Sequence, residues 1–175
     1  MKPTSSKLEE RQCDTVKAWL ASRPLRDNPQ MAGAGSSLPW DEWVEQGRNA
    51  ADTEACLLAF LENEQDPVTR SDVALALGYV GGERSVERLI GLLKDKEPMV
   101  VMEAAAALGR IGNQAAVPPL IEALQSDYAN VRANACQALG TLGGDQATTA
   151  LTAVLRDHDP FVRSAAQEAL ARSHR

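Results

Sequence analysis

Residues 66–78 read DPVTRSDVALALG, and residues 159–171 read DPFVRSAAQEALA. Both open with Asp-Pro and carry Arg-Ser at their fifth and sixth positions. They start 93 residues apart, three times 31, and the steps in between repeat much of the phrase. Leu77, Leu108, Leu139 and Leu170 fall in one column, followed by Gly78, Gly109, Gly140 and Ala171. Gly81, Gly112 and Gly143 form another column, Leu89, Leu120 and Leu151 a third, and Leu93, Leu124 and Leu155 a fourth. Arg70, Arg132 and Arg163 also align, with Val101 breaking the run. So many columns at one period, without gaps, specify a repeat array.

Each unit reads as a helical hairpin. Asp66-Pro67 and Asp159-Pro160 are helix starts, with Asp as N-cap and Pro at the first helical position, where its missing N–H costs nothing. Small and apolar residues then recur at helical spacing, Val73, Ala76 and Leu77 in one unit and Val131, Ala135, Ala138 and Leu139 in another. The column Gly81, Gly112 and Gly143 is the expected left-handed terminator. A second helix follows, through Val86, Leu89, Ile90 and Leu93, or Val117, Leu120, Ile121 and Leu124. Pro118 and Pro119 near its start predict a short, Pro-tolerant first turn. One hairpin cannot bury both apolar faces, but a stack of them can. The fold expected is all-α, an α-solenoid.

The phrase D-P-x-V-R-x-x-A-x-x-A-L-G-x-x-G, followed by A-V-x-x-L-x-x-x-L, resembles the HEAT-like repeat of the phycobilisome-lyase type. Residues 158–170 (HDPFVRSAAQEAL) and 108–124 (LGRIGNQAAVPPLIEAL) carry it best. The resemblance covers about residues 64–175 and implies a right-handed array of HEAT-like repeats. For function it implies a range: binding modules, chromophore-lyase subunits, assembly factors and a few enzymes.

Residues 1–63 differ, and three segments are expected. Residues 1–38 hold a capping box (Ser6 to Glu9), a helix through Trp19, and a Pro-, Gly- and Ser-rich linker. Residues 39–63 read as a degenerate capping repeat, because Gly47, Ala55 and Leu58 meet Gly78, Val86 and Leu89 at the 31-residue shift. Residues 64–175 form the array. After Ala171 only RSHR remains, so the last unit is expected to have a first helix and no second; a polar cap and a face for self-association through the C-terminal end are the two readings.

Composition narrows the function. The chain is 44% hydrophobic but only 4% aromatic, so its core is built from Leu, Ala, Val and Ile. A net charge of −6 argues against a nucleic-acid or anionic-membrane surface. No run approaches the roughly 18 apolar residues of a membrane span. Cys13, Cys56 and Cys136 are odd in number and far apart, which reads as reduced thiols in the cytoplasm. His158 and His174 have no second donor at ligand spacing, and no phosphate-binding or nucleophile motif appears. No catalytic, cofactor or metal-binding residue is therefore assigned.

That leaves surfaces. The Arg column fits one structural role per unit, holding acids or carbonyls of the adjacent turn. Met99, Val100, Val101 and Met102 cannot all point inward on a helix. Either Met99, Val101 and Met102 meet a partner, or the central unit packs more deeply than the others. Trp40 and Trp43 share a helical face and are either interface anchors or core of the cap. The resemblance places the second helices on the concave side, where Glu83, Glu87, Lys94, Glu122, Gln125, Asp145 and Arg156 are the exposed candidates, mixed in sign. The leading reading is a non-enzymatic scaffold, adaptor or assembly factor whose partner is another protein. The alternative is a bilin-lyase-like or other maturation-factor subunit.

Overall fold

The computed structural model describes Cys13 and residues 50–173. Among these there are eight α-helices, one 3-10 turn and no strand. They are α1 (Ala50–Leu61), α2 (Pro67–Val80), α3 (Glu83–Leu92), α4 (Pro98–Ile111), α5 (Val117–Ala123), α6 (Ala129–Leu142), α7 (Asp145–Val154) and α8 (Pro160–Ser173). The first helices of the units, α2, α4, α6 and α8, stack side by side in one layer. The second helices, α3, α5 and α7, form the other layer, and each packs on the first helix of its own or the following unit. The chain is an α-solenoid, as its 31-residue period requires.

The leucine columns are the core. Leu77, Leu108, Leu139, Leu89, Leu120 and Leu151 are fully buried, the first three from the first-helix layer and the others from the second. Between first helices the packing is carried by alanine. Ala76, Ala107, Ala138 and Ala169, another 31-residue column, are all at most 3% exposed. A Cβ built on Gly109 would lie 3.1 Å from the Ala138 Cα, so glycine sets how closely α4 and α6 approach.

The Asp66 carboxylate accepts from the Thr69 backbone N–H at 2.9 Å and its hydroxyl at 2.7 Å, which makes it the expected N-cap. The proline-bearing second helix begins with a 3-10 turn (Gln114–Ala116) and then becomes α5. The expectation of a left-handed terminator holds only at Gly112 (φ +77°, ψ +13°): Gly143 has a positive φ of +67° but an extended ψ of −162°, and Gly81 is extended at φ −76°. Glycine is needed at position 81 for space, because a Cβ there would strike the Leu77 carbonyl and the Ser85 side chain.

Helix α1 packs on α2 and α3 and is fastened by a carboxylate that sequence reading passed over. Glu54 is 5% exposed, and its Oε1 accepts from Gly82 N (2.8 Å), Ser85 N (3.1 Å) and Ser85 Oγ (2.7 Å). Gly82 has no side chain with which to cap α3, so an acid from α1 satisfies its orphan N–H groups and meets the positive end of the helix. Glu54→Ala is expected to cost about 1–2 kcal/mol, the usual loss of an N-cap. Urea denaturation would measure it, and an unchanged midpoint would remove Glu54 as the fastener.

The reading of all three cysteines as reduced thiols is corrected. Cys13 and Cys56 form a disulfide, with Cα atoms 5.2 Å apart. Their separation of 43 residues follows no motif, so the pair is revealed by the position of Cys13 beside Cys56 and not by spacing. Cys136 is free and buried in α6. Burial, with a smaller contribution from Asp157, pushes its thiol up to about 12, so it stays protonated and unreactive at neutral pH. The native protein is expected to give no reaction with a thiol reagent. Unfolding without reductant should release one thiol, and unfolding with reductant three.

Candidate interaction surface

The arginine column joins neighbouring units. Arg70, on α2, donates through Nε and Nη2 to both Asp95 oxygens (2.8 and 2.9 Å), while Nη1 donates to the Gln65 carbonyl at 2.6 Å. Two units on, Arg132 makes the same fork with Asp157 (2.9 Å twice) and donates through Nη1 to the Ser126 carbonyl at 2.8 Å. Each guanidinium thus bolts the turn before its hairpin to the turn after it, using acids and carbonyls together. Arg163 reaches back in the same way, from Nη1 to the Asp157 and His158 carbonyls.

These ion pairs are buried: side-chain exposure is 10% at Arg70 and Asp95, and 5% and 10% at Arg132 and Asp157. The Arg132 fork holds the Asp157 carboxyl below the ordinary carboxylate range, outweighing the upward push of burial. Burial also pushes Asp95 upward, but the Arg70 fork and the Glu97 N–H together bring it below that range. The arginines shift the opposite way, each raised by its hydrogen bonds to the partner acid.

Val101 stands where the central unit should carry its arginine. It is 6% exposed and Val100 is fully buried, so Val101 itself is not a surface residue; Met99 and Met102 are half-buried. The four apolar residues are accommodated because the central helix is covered on more than one side: α4 packs against α2, α3 and α6. Above Val101 lies a cleft of about 320 Å³ between the turn before the central hairpin and the turn after it. Leu93, Pro98, Val101, Pro119, Ser126 and Val131 line it, and Tyr128, 54% exposed, stands at its edge.

The second-helix candidates are where the sequence placed them with respect to solvent. Glu83, Glu87, Lys94, Glu122, Gln125, Asp145 and Arg156 are all exposed. Of these, Lys94, Glu122 and Gln125 meet at the cleft, whereas Glu83, Glu87 and Arg156 do not line it. Trp40 and Trp43 lie outside the described residues. Reading along the chain missed Asp95, Ser126 and Asp157, although they form a 31-residue column whose break coincides with the break at Val101. Among the described residues no cluster of His, Cys, Asp and Glu is arranged to hold a metal ion, and no helix is long and apolar enough to cross a membrane.

The family model for HEAT repeats matches residues 54–133 and again residues 109–171. No curated protein gives a significant match to the chain. The two matches together span the stack that the bolts and leucine columns define, and the chain belongs to the HEAT repeats.

Proposed function

We propose that the chain is a non-enzymatic interaction module, a scaffold, adaptor or assembly factor that offers a preformed helical surface to a protein partner. The observation that carries this reading is a firmly fastened stack combined with a shaped, partly apolar cleft at its central unit. Two buried ion-pair bolts, close alanine–glycine contacts and a continuous leucine core fix the helices relative to one another. A surface ordered in advance loses little entropy on binding. Residues 39–63 serve in this proposal as the cap of the array and residues 1–38 as its appendage. Such stacks present large faces to partners without catalytic residues.

A lyase-like role of the phycobilisome-lyase type is the second reading that the repeat pattern raises. The described thiols give it little support, since Cys13 and Cys56 bond to each other and Cys136 is buried and protonated. A cytoplasmic location is not part of the proposal, because a disulfide of this kind is typical of oxidising compartments.

The test is affinity purification with the full chain as bait, from an extract of the cells that make it, with a mass and an absorbance spectrum of the eluate. The module reading expects one protein in stoichiometric amount that binds again when both components are purified. A coloured eluate, or a recovered chromophore-bearing client, would transfer the proposal to the lyase-like role. A bait that elutes bare would overturn both.

A further inference from the structure

We infer that the cleft over Val101 is a docking pocket for a bulky apolar side chain of a partner protein, carried on a segment with carboxylates beside it. This rests on the interaction-module reading and gives that module a site and a partner chemistry.

The argument begins with the arginine bolts. Arg70 and Asp95 form one and Arg132 and Asp157 the other. Halfway between, at 31 residues from each, stand Val101 and Ser126. Both halves of the ion pair are replaced in the same unit, so neither leaves a buried charge without its counterpart. The turn itself persists. Ser126 Oγ accepts from the Tyr128 N–H at 3.3 Å, as Asp95 accepts from Glu97 (2.9 Å) and Asp157 from Asp159 (2.8 Å). What has gone is the side chain that crosses from one turn to the other, and the cleft lies along that path.

The chemistry of the cleft selects its occupant. Its floor and walls are Val101, Leu93, Pro98, Pro119 and Val131. The one carboxylate in its inner wall, Asp95, is already held by the Arg70 fork. A guanidinium or ammonium entering from a partner would lose its water without gaining a free acid, which is the costly arrangement for a charge. An apolar side chain would lose only its hydration, and its burial is favourable. At the mouth, Lys94 and Lys96 are exposed and make no ion pair among the described residues; they outnumber Glu122, the one exposed acid among the residues that line the cleft. A chain of net charge −6 therefore carries a locally basic rim around an apolar hole, which favours carboxylates next to the anchor. Tyr128 adds a half-exposed aromatic edge of the kind that interfaces use.

The experiment is an NMR titration of the full chain with three blocked tripeptides: Asp-Phe-Asp, Lys-Phe-Lys and Asp-Arg-Asp. The expected result is a saturable shift of amides in residues 93–101 and 119–131 with Asp-Phe-Asp, and at least tenfold weaker binding of the other two. Val101→Arg with Ser126→Asp copies the bolt of the neighbouring units into the cleft and should abolish the shifts. Lys94→Glu with Lys96→Glu, on exposed positions, should weaken Asp-Phe-Asp at least tenfold without touching the core, and serves if the bolted variant does not fold. Preference for Asp-Arg-Asp, equal binding by the two Phe peptides, retention of the shifts in the variants, or no shift at millimolar peptide would each overturn the proposal. A partner captured by the native chain and equally by the charge-reversed variant would overturn the cleft and leave the interaction module standing.

Discussion

Asp157→Ala is expected to lower the stability of the protein by about 3–5 kcal/mol, the usual consequence of removing one partner of a buried ion pair. Arg132 is only 5% exposed on its side chain, and without the carboxylate it keeps the Ser126 carbonyl and the neighbouring His158 ring. Neither carries the negative charge that offsets a buried guanidinium. Arg132→Val fails for the complementary reason, leaving a carboxylate in a site built around a cation. The double variant Arg132→Val with Asp157→Ser should be the more stable outcome, losing less than either single change. The chain already contains that combination at Val101 and Ser126, inside a unit that folds with the same turn. Urea denaturation of the four proteins would close the cycle. Losses that simply add would show that the pair is not coupled, and the bolt would lose its standing.

The same pair dictates an acid limb. In the folded chain Asp157 and Asp95 are held below the ordinary carboxylate value of about 3.9. The unfolded chain therefore takes up these protons first as pH falls. The stabilisation is complete above about pH 5, declines through the ordinary value, and is gone below the folded value. Denaturation midpoints between pH 3 and 7 should fall more steeply on the acid side in the native chain than in the Arg132→Val/Asp157→Ser variant. Parallel profiles would contradict the assignment.

The period, the hairpin, the leucine columns and the Asp66 cap were all legible because each repeats or has a local chemical reason. What escaped was mostly non-local. The partners of the arginines lie 25 residues further on, across a hairpin, and are found only by asking which second column breaks where the first does. Glu54 caps a helix 28 residues away, and nothing next to it in sequence announces this. The Cys13–Cys56 bond ties a residue outside the repeat to the array and has no periodic image. Val101 was legible as an exception but not as a buried one: a run of four apolar residues says that more than one face is covered, and only the packing shows which. The cleft follows from the same exception, since an absent side chain leaves no letter in the sequence.

Gly140→Ala is expected to destabilise the chain by about 3 kcal/mol, the upper part of the range for inserting a methyl group into a packed contact. The opposite sign is the general rule, because alanine is a better helix former than glycine by about 1 kcal/mol. Here the helix is not free to use that preference. A Cβ on Gly140 would lie 2.6 Å from both Cα and Cβ of Ala169 and 2.9 Å from the Ala169 carbonyl oxygen, so α6 and α8 must separate. The obstacle is largely backbone, which cannot rotate away as a side-chain tip does. Ala169→Gly added to Gly140→Ala should therefore rescue only part of the loss, removing the Cβ contact and leaving the Cα one. The equivalent positions rank the effect. Gly78 would bring its Cβ to 2.9 Å from the Ala107 Cα and Gly109 to 3.1 Å from the Ala138 Cα, so the losses should run Gly140, Gly78, Gly109. At Gly109 the neighbour need shift by only a few tenths of an ångström, and the intrinsic gain of alanine offsets most of the cost. Denaturation midpoints of the three variants would decide the matter. Three stabilised proteins would mean that helix propensity outweighs contact here, and that the spacing between first helices is set by something other than these glycines.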